Sequence, residues 1–175
     1  MKILITGTSG FIGKHLNKRL EDKGYNVVHL VRKKKGFKNE FIWDFKGPLP
    51  EGIPICDAIV HLAAYVDFSL KLDIEQYNVN TVSTIKLSAY AKNYNAYFIL
   101  ASMVGVHGNR YIKIGKDTLL APDNHYALSK YIAEEVVNTY LDDYSILRIC
   151  GIYGIKGPSH MGLNKAITDA VCLKI

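Results

Sequence analysis

The stretch ILITGTSGFIGKHL, residues 3–16, places Gly7, Gly10 and Gly13 at intervals of three where an apolar run hands over to an amphipathic one. KILIT (2–6) reads as a short strand. Residues 11–23 read as a helix with Ile12, Leu16 and Leu20 on one face and Gly24 as its stop. A chain that turns this tightly needs glycine for dihedral freedom and for close backbone approach to a ligand. The helix that follows offers unpaired N–H groups and a positive dipole end, which suits a pyrophosphate. Strand, tight turn and helix make the first half of a βαβ unit, and such a unit requires a parallel partner strand.

The rest of the chain supplies the partners. Further short apolar runs at NVVHLVR (26–32), FIWDF (41–45), AIVHLA (58–63), AYFILAS (96–102) and YSILRIC (144–150) read as five more strands. Helical patterns fill the gaps at 74–92, opened by an Asp73/Gln76 capping box, and at 124–141, with another at 163–173. The alternation predicts an α/β fold, a doubly wound parallel sheet of about six strands with helices on both faces. At 175 residues the chain holds one domain, or one domain and a fragment of another. Its formal charge of +6 suits anionic ligands. Two loops stand apart, the basic RKKKGFK (32–38) and the long 108–124.

Several classes fall away. Cys56, Cys150 and Cys172 have neither metal-ligand nor disulfide-framework spacing and read as buried free thiols. The six histidines also lack ligand spacing and read as packing or surface groups, so no metal is expected. No run reaches membrane-spanning length, and the apolar start is too short for a signal peptide. The basic loop matches no recognised nucleic-acid-binding motif. The expectation is a soluble, cytoplasmic protein with a small-molecule partner and neither nucleic acid nor membrane as partner.

HYALSK, residues 125–130, places Tyr126 and Lys130 on one helical face. With 12 tyrosines and 18 lysines, about one such spacing arises by chance, so its setting must decide. That setting is ordered. TGTSGFIG, CDAIVHLAA (56–64), YNVNTVST (77–84), LLAPDNHYALSKYIAEE (119–135) and ILRICGIYG (146–154) follow one another as in the extended short-chain dehydrogenases. The chain resembles the NAD-dependent epimerase/dehydratase family of that group over nearly its whole length.

The resemblance implies a Rossmann-like dinucleotide-binding domain over residues 1–154. It implies cofactor contacts from Gly7, Ser9, Gly10, Phe11, Ile12 and Gly13, then Asp44 and Phe45 at the adenine, and Leu62, Ala63 and Ala64 after the fourth strand. Asn80 enters as the helix asparagine, Tyr126 and Lys130 as ribose and nicotinamide partners, and Cys150 on the strand that closes the site. Where NAD-preferring members end the second strand on an acidic residue this chain has Val31, followed by Arg32 and Lys33, so NADP is expected over NAD. Tyr126 would exchange a proton with a substrate hydroxyl or carbonyl, the Lys130 ammonium favouring its phenolate.

Ser102 is expected as the polarising hydroxyl, although it sits one position before the family place, which Met103 holds. A bulge near Gly105 would turn it toward Tyr126. Glycine at 151, where nucleotide-sugar members often carry asparagine, leaves room for another carbonyl substrate. The family's smaller C-terminal substrate lobe would begin at 155–175, making this a truncated, split or degenerate member. The resemblance also implies a homodimer through helices 74–92 and 124–141. Two readings follow. One is an oxidoreductase or epimerase with a Ser102–Tyr126–Lys130 site, acting on a sugar-like or small polar substrate. The other is a dinucleotide-binding, redox-sensing module without turnover.

Overall fold

A computed structural model describes residues 1–154, 157–158 and 162–172 of the chain. Six parallel strands form one sheet: β1 (Lys2–Thr6), β2 (Asn26–Val31), β3 (Glu40–Ile42), β4 (Ala58–His61), β5 (Tyr97–Met103) and β6 (Tyr144–Ile149). Their order across the sheet is β3-β2-β1-β4-β5-β6. The helices are α1 (Phe11–Asp22), α2 (Ile74–Tyr77), α3 (Ser83–Tyr94), α4 (His125–Tyr140) and α5 (Gly162–Cys172). The doubly wound sheet expected from the alternation is therefore the fold.

Alternation along the central strands sends side chains to opposite faces. Leu4, Val28, Leu30, Ile59, Phe98 and Leu100 meet Leu87 and Ala91 of α3 and Ala133 and Val137 of α4 in the larger core. Ile3, Ile5, Val27 and Val60 pack on the other face with Leu16 and Leu20 of α1. The chain winds outward in both directions from β1 and β4. The crevice beyond the carboxyl ends of those strands is therefore the topological switch point, where ligands bind in open sheets of this kind.

Three local expectations change. The third strand covers Glu40–Ile42 rather than 41–45: the Trp43 N–H makes the last bond to β2, on the Val31 carbonyl at 2.9 Å, and Trp43 and Phe45 are buried beyond it. Phe45 turns with φ +68°, a left-handed conformation rare for a bulky residue. The helix expected over 74–92 is interrupted by a π-helical turn, Asn78–Val82, between α2 and α3. At its start Asp73 caps the Glu75 N–H at 2.8 Å, but Gln76 does not complete a capping box: its amide donates to the Asp67 carbonyl at 2.9 Å. The 124–141 pattern is α4, capped by the Asn124 side chain on the Ala127 N–H. Residue His160 and the last residue of the 163–173 pattern lie outside the described residues.

Candidate functional site

The glycine turn is built by contact. Gly7 has φ +74°, and a Cβ there would sit 2.7 Å from the Ala63 nitrogen, so the turns after β1 and β4 touch backbone to backbone. At Gly13 a Cβ would sit 2.2 Å from the Gly7 carbonyl oxygen, so α1 packs directly on the turn. No side chain caps α1 and its first turn carries no acidic residue, which leaves its N–H groups for an anion.

A cleft of about 570 Å³ opens there. Its glycine wall is Gly7, Thr8, Ser9 and Gly10, and its floor is Leu62, Ala63 and Ala64. Phe45 closes one side, while Arg32, Lys33 and Lys35 form a cationic wall. A smaller cavity of about 410 Å³ lies among Lys2, Asn26, Glu40 and Gly52, away from the glycine turn. Sequence reasoning reached most of the larger cleft but assigned no contact to Thr8, Leu30, Lys35 or Val79.

Other expected cofactor residues sit elsewhere. The Asp44 Oδ1 accepts the Lys46 and Gly47 N–H groups at 2.8 Å each, so this carboxylate makes a turn that presents Phe45. Those bonds, from Gly47 first, hold its pKa below the usual carboxylate value. Asn80 is fully buried. Its Oδ1 accepts the Tyr65 N–H at 2.8 Å, and its amide donates to the Tyr65 carbonyl and the Ser129 Oγ at 2.9 Å each. It braces the post-β4 turn against α4 from behind the cleft. Phe11, Ile12 and Gly13 open α1, outside the lining. Cys150 is exposed, contrary to the buried thiol expected; Cys56 is buried, and desolvation pushes its thiol up to about 11.

Behind the floor runs a buried polar chain. The Ala63 N–H donates to Thr6 Oγ1 at 3.0 Å, and Thr6 Oγ1 lies 2.7 Å from His61 Nδ1. His61 Nε2 meets Ser83 Oγ at 3.1 Å, and that hydroxyl donates to the Val79 carbonyl at 2.6 Å. Because Ser83 has spent its proton, Nε2 must carry the ring's hydrogen, and Nδ1 accepts from Thr6. Burial, with the Lys130 charge second, holds the His61 pKa down to about 3, so the ring is neutral.

Lys130 is 2% exposed, and desolvation lowers its pKa to about 8 against the opposing pull of Glu134. Tyr126 begins the same face, one turn earlier, with its ring edge-on to Phe68 at 5.3 Å. Burial raises the Tyr126 pKa, the reverse of the direction expected from a neighbouring ammonium.

Ser102 differs most from expectation. The β5–β6 ladder runs unbroken through Ser102↔Arg148 and Met103↔Ile149, so no bulge turns the serine. Its side chain stays on the Phe98 and Leu100 face, and its hydroxyl donates to Glu134. Glu134 is fully buried and lies two helical turns beyond Tyr126. Arg148 grips its carboxylate through Nη2 at 2.8 Å and Nε at 3.1 Å. Arg148 also reaches His107, whose Nδ1 holds the Leu119 carbonyl of the long loop at 3.1 Å. Ser102 thus belongs to a clamp joining β5, β6 and α4 rather than to the Tyr126 hydroxyl. Glu134 had no motif of its own to announce it.

A model of the NAD dependent epimerase/dehydratase family matches residues 3–173. The chain belongs to this family.

Among curated relatives, a putative UDP-glucose 4-epimerase of Methanocaldococcus jannaschii is 30% identical over 171 residues, covering 87% of this chain and 56% of the relative. A GDP-6-deoxy-D-talose 4-dehydrogenase of Aggregatibacter actinomycetemcomitans is 34% identical over 155 residues, covering 80% and 48%. The chain spans about half the length of these relatives. Of solved structures, a UDP-galactose 4-epimerase superposes with a TM-score of 0.82 at 24% identity, over 98% of this chain and 63% of that one. The Bacillus cereus UDP-glucuronic acid 4-epimerase, in complex with NAD, gives 0.80 at 23% identity, over 98% and 64%. These likenesses support the epimerase/dehydratase fold. Among the described residues no helix is long and apolar enough to cross a membrane.

Proposed function

We propose that this chain binds a nicotinamide dinucleotide in the switch-point cleft and serves hydride chemistry at an alcohol or carbonyl carbon of a sugar-like substrate. The observation that carries this is the cleft itself. A helix start without a side-chain cap follows a turn whose glycines allow backbone contact with the floor, and three cations line the same cleft. The dinucleotide would supply the hydride donor and acceptor. The first-turn N–H groups of α1 would take its pyrophosphate, Phe45 and Ala63 its adenosine half. Arg32, Lys33 and Lys35 would pair with a ribose phosphate, which favours NADP over NAD within an NAD-dependent family. Tyr126 would pass a proton to or from the substrate, and Lys130, desolvated beneath it, would supply positive charge. The named relatives make a nucleoside-diphosphate sugar the first substrate to try.

Residues 1–154 would form the dinucleotide-binding body and 155–175 the start of a substrate lobe. A homodimer would use the side-by-side pair α3 and α4, which leaves Ile85 and Tyr140 exposed.

A second reading, a dinucleotide-binding module without turnover, draws on Ser102, whose hydroxyl is committed to Glu134, and on the raised Tyr126 pKa. Fluorescence titration with NADPH and NADH, followed by turnover on UDP-glucose, UDP-galactose and simple carbonyls with Tyr126→Phe as control, decides between them. Binding with Tyr126-dependent turnover supports the enzyme. Binding without it supports the module, and failure to bind either dinucleotide overturns both.

A further inference from the structure

The cationic wall of the cleft is held by two residues outside the cleft lining, Phe37 and Glu40. Phe37 lays its ring on the His29 imidazole, centroids 4.0 Å apart and planes 13° from parallel. His29 is buried in β2, and its Nδ1 lies 3.3 Å from Thr8 Oγ1 in the glycine turn. The stack therefore ties the far end of the basic loop to the phosphate end of the cleft.

On the loop's other side, the Glu40 carboxylate accepts the Lys35 N–H at 2.9 Å and the Phe37 N–H at 3.2 Å. Those amides form an anion nest that the chain fills with its own side chain. Desolvation works against the Glu40 charge, but the amides of Lys35, Gly36 and Phe37 together hold its pKa below the usual value.

The loop needs such anchors. Arg32, Lys33, Lys34, Lys35 and Lys38 crowd positive charge into seven residues, and unanchored segments of like charge extend and repel. With Phe37 and Glu40 in place, the loop backbone is fixed before a ligand arrives. A loop ordered in advance does not spend binding energy on its own ordering. The nest also explains why the amides of 35–37 offer nothing to a ligand, so anion recognition there falls to the side chains of Arg32, Lys33 and Lys35.

We infer that Phe37, seated on His29, is a specificity-determining positioning residue: it holds the Arg32–Lys35 loop where a dinucleotide's ribose phosphate would bind. This rests on the proposed NADP preference, and the test separates the two. Wild type, Phe37→Leu, Phe37→Tyr and Glu40→Gln are titrated with NADPH and NADH, with far-ultraviolet circular dichroism to confirm folding. Phe37→Leu should lose on the order of fivefold in NADPH affinity while NADH affinity moves less than about twofold. Phe37→Tyr, which keeps the stacked ring, should restore NADPH binding. Glu40→Gln, which loosens the loop from its other side, should repeat the selective loss even if Phe37→Leu misfolds. A wild type that prefers NADH overturns the cofactor reading and this inference with it. A wild type that prefers NADPH, with variants that keep that preference or lose both cofactors equally, overturns the inference alone.

Discussion

Gly13→Ala tests whether the cleft depends on direct packing of α1 against the glycine turn. The added Cβ would stand 2.2 Å from the Gly7 carbonyl oxygen and 2.7 Å from the Thr8 Cα, where ordinary contact begins near 3.4 Å. Both neighbours are backbone, so no flexible side-chain end can swing aside. The helix or the turn must move by about 1 Å, and overpacking of this kind costs about 1–3 kcal/mol. For a chain of this size that lowers Tm by roughly 2–12 °C. The atoms that move are those of Gly7 and Thr8, which line the cleft, so dinucleotide affinity should fall by about tenfold or more. Gly24→Ala is the control. Unlike Gly13 it sits at positive φ, +76°, and a Cβ there meets nothing within 4 Å. It should cost about 1–2 kcal/mol in left-handed strain and leave binding alone. Thermal melts and NADH or NADPH fluorescence titrations of both variants supply the numbers. If Gly13→Ala melts like Gly24→Ala and binds like wild type, close approach does not make the cradle.

Ser102→Ala should destabilise the fold by about 1–3 kcal/mol, because buried Glu134 loses a donor, yet keep any turnover within a few fold; Tyr126→Phe should reduce turnover by about 10²–10⁴. Equal loss of turnover in the two variants would return Ser102 to the reacting centre. Lys130 has its folded-state pKa lowered from 10.5 to about 8, so the unfolded chain binds the extra proton between those values and stability should rise with pH across that window. Urea unfolding of wild type against Lys130→Met should show the wild type gaining roughly 3 kcal/mol on the variant from pH 8 to above 10, and a flat difference would count against a buried ammonium. Peptide mapping after brief thiol alkylation at pH 8 should find Cys150 modified and Cys56 untouched, given exposure of the first and a thiol pKa of about 11 for the second. Early labelling of Cys56 would mean that the segment leading into β4 opens readily.

Periodicity and glycine spacing carried the sheet, its order of elements and the cleft at its switch point, because these depend on which residues are apolar and which turns need glycine. What they could not carry depends on a single residue's direction. Trp43 and Phe45 look like strand residues, and only packing shows them folding inward off a three-residue β3. Ser102 was one step from the family position, and its partner Glu134 is 32 residues on, about 110 Å of fully extended chain, but adjacent across the sheet–helix interface. The π-helical turn at Asn78–Val82 adds one residue to a helix, which leaves the apolar spacing ambiguous, yet it brings Asn80 and Thr81 onto Ser129 of α4. Nothing in the basic run set Lys35 apart from its neighbours; its N–H on Glu40 and its place in the cleft lining do.

The hydrogen-bond chain from Ala63 through Thr6, His61 and Ser83 to the Val79 carbonyl runs in one direction, each proton assigned. A flipped His61 ring would break that order and leave buried groups facing carbon. The ring is therefore locked, and with it the carboxyl ends of β1 and β4 and the start of α3 become a single rigid jaw. Any breathing of the cleft as a ligand enters or leaves must come from the facing jaw, the segments that carry Arg32–Lys35 and Phe45. Slow exchange of the His61 ring proton, against faster exchange of the Lys33 and Lys34 amides that the Glu40 nest does not hold, would be the mark of this division between anvil and hammer.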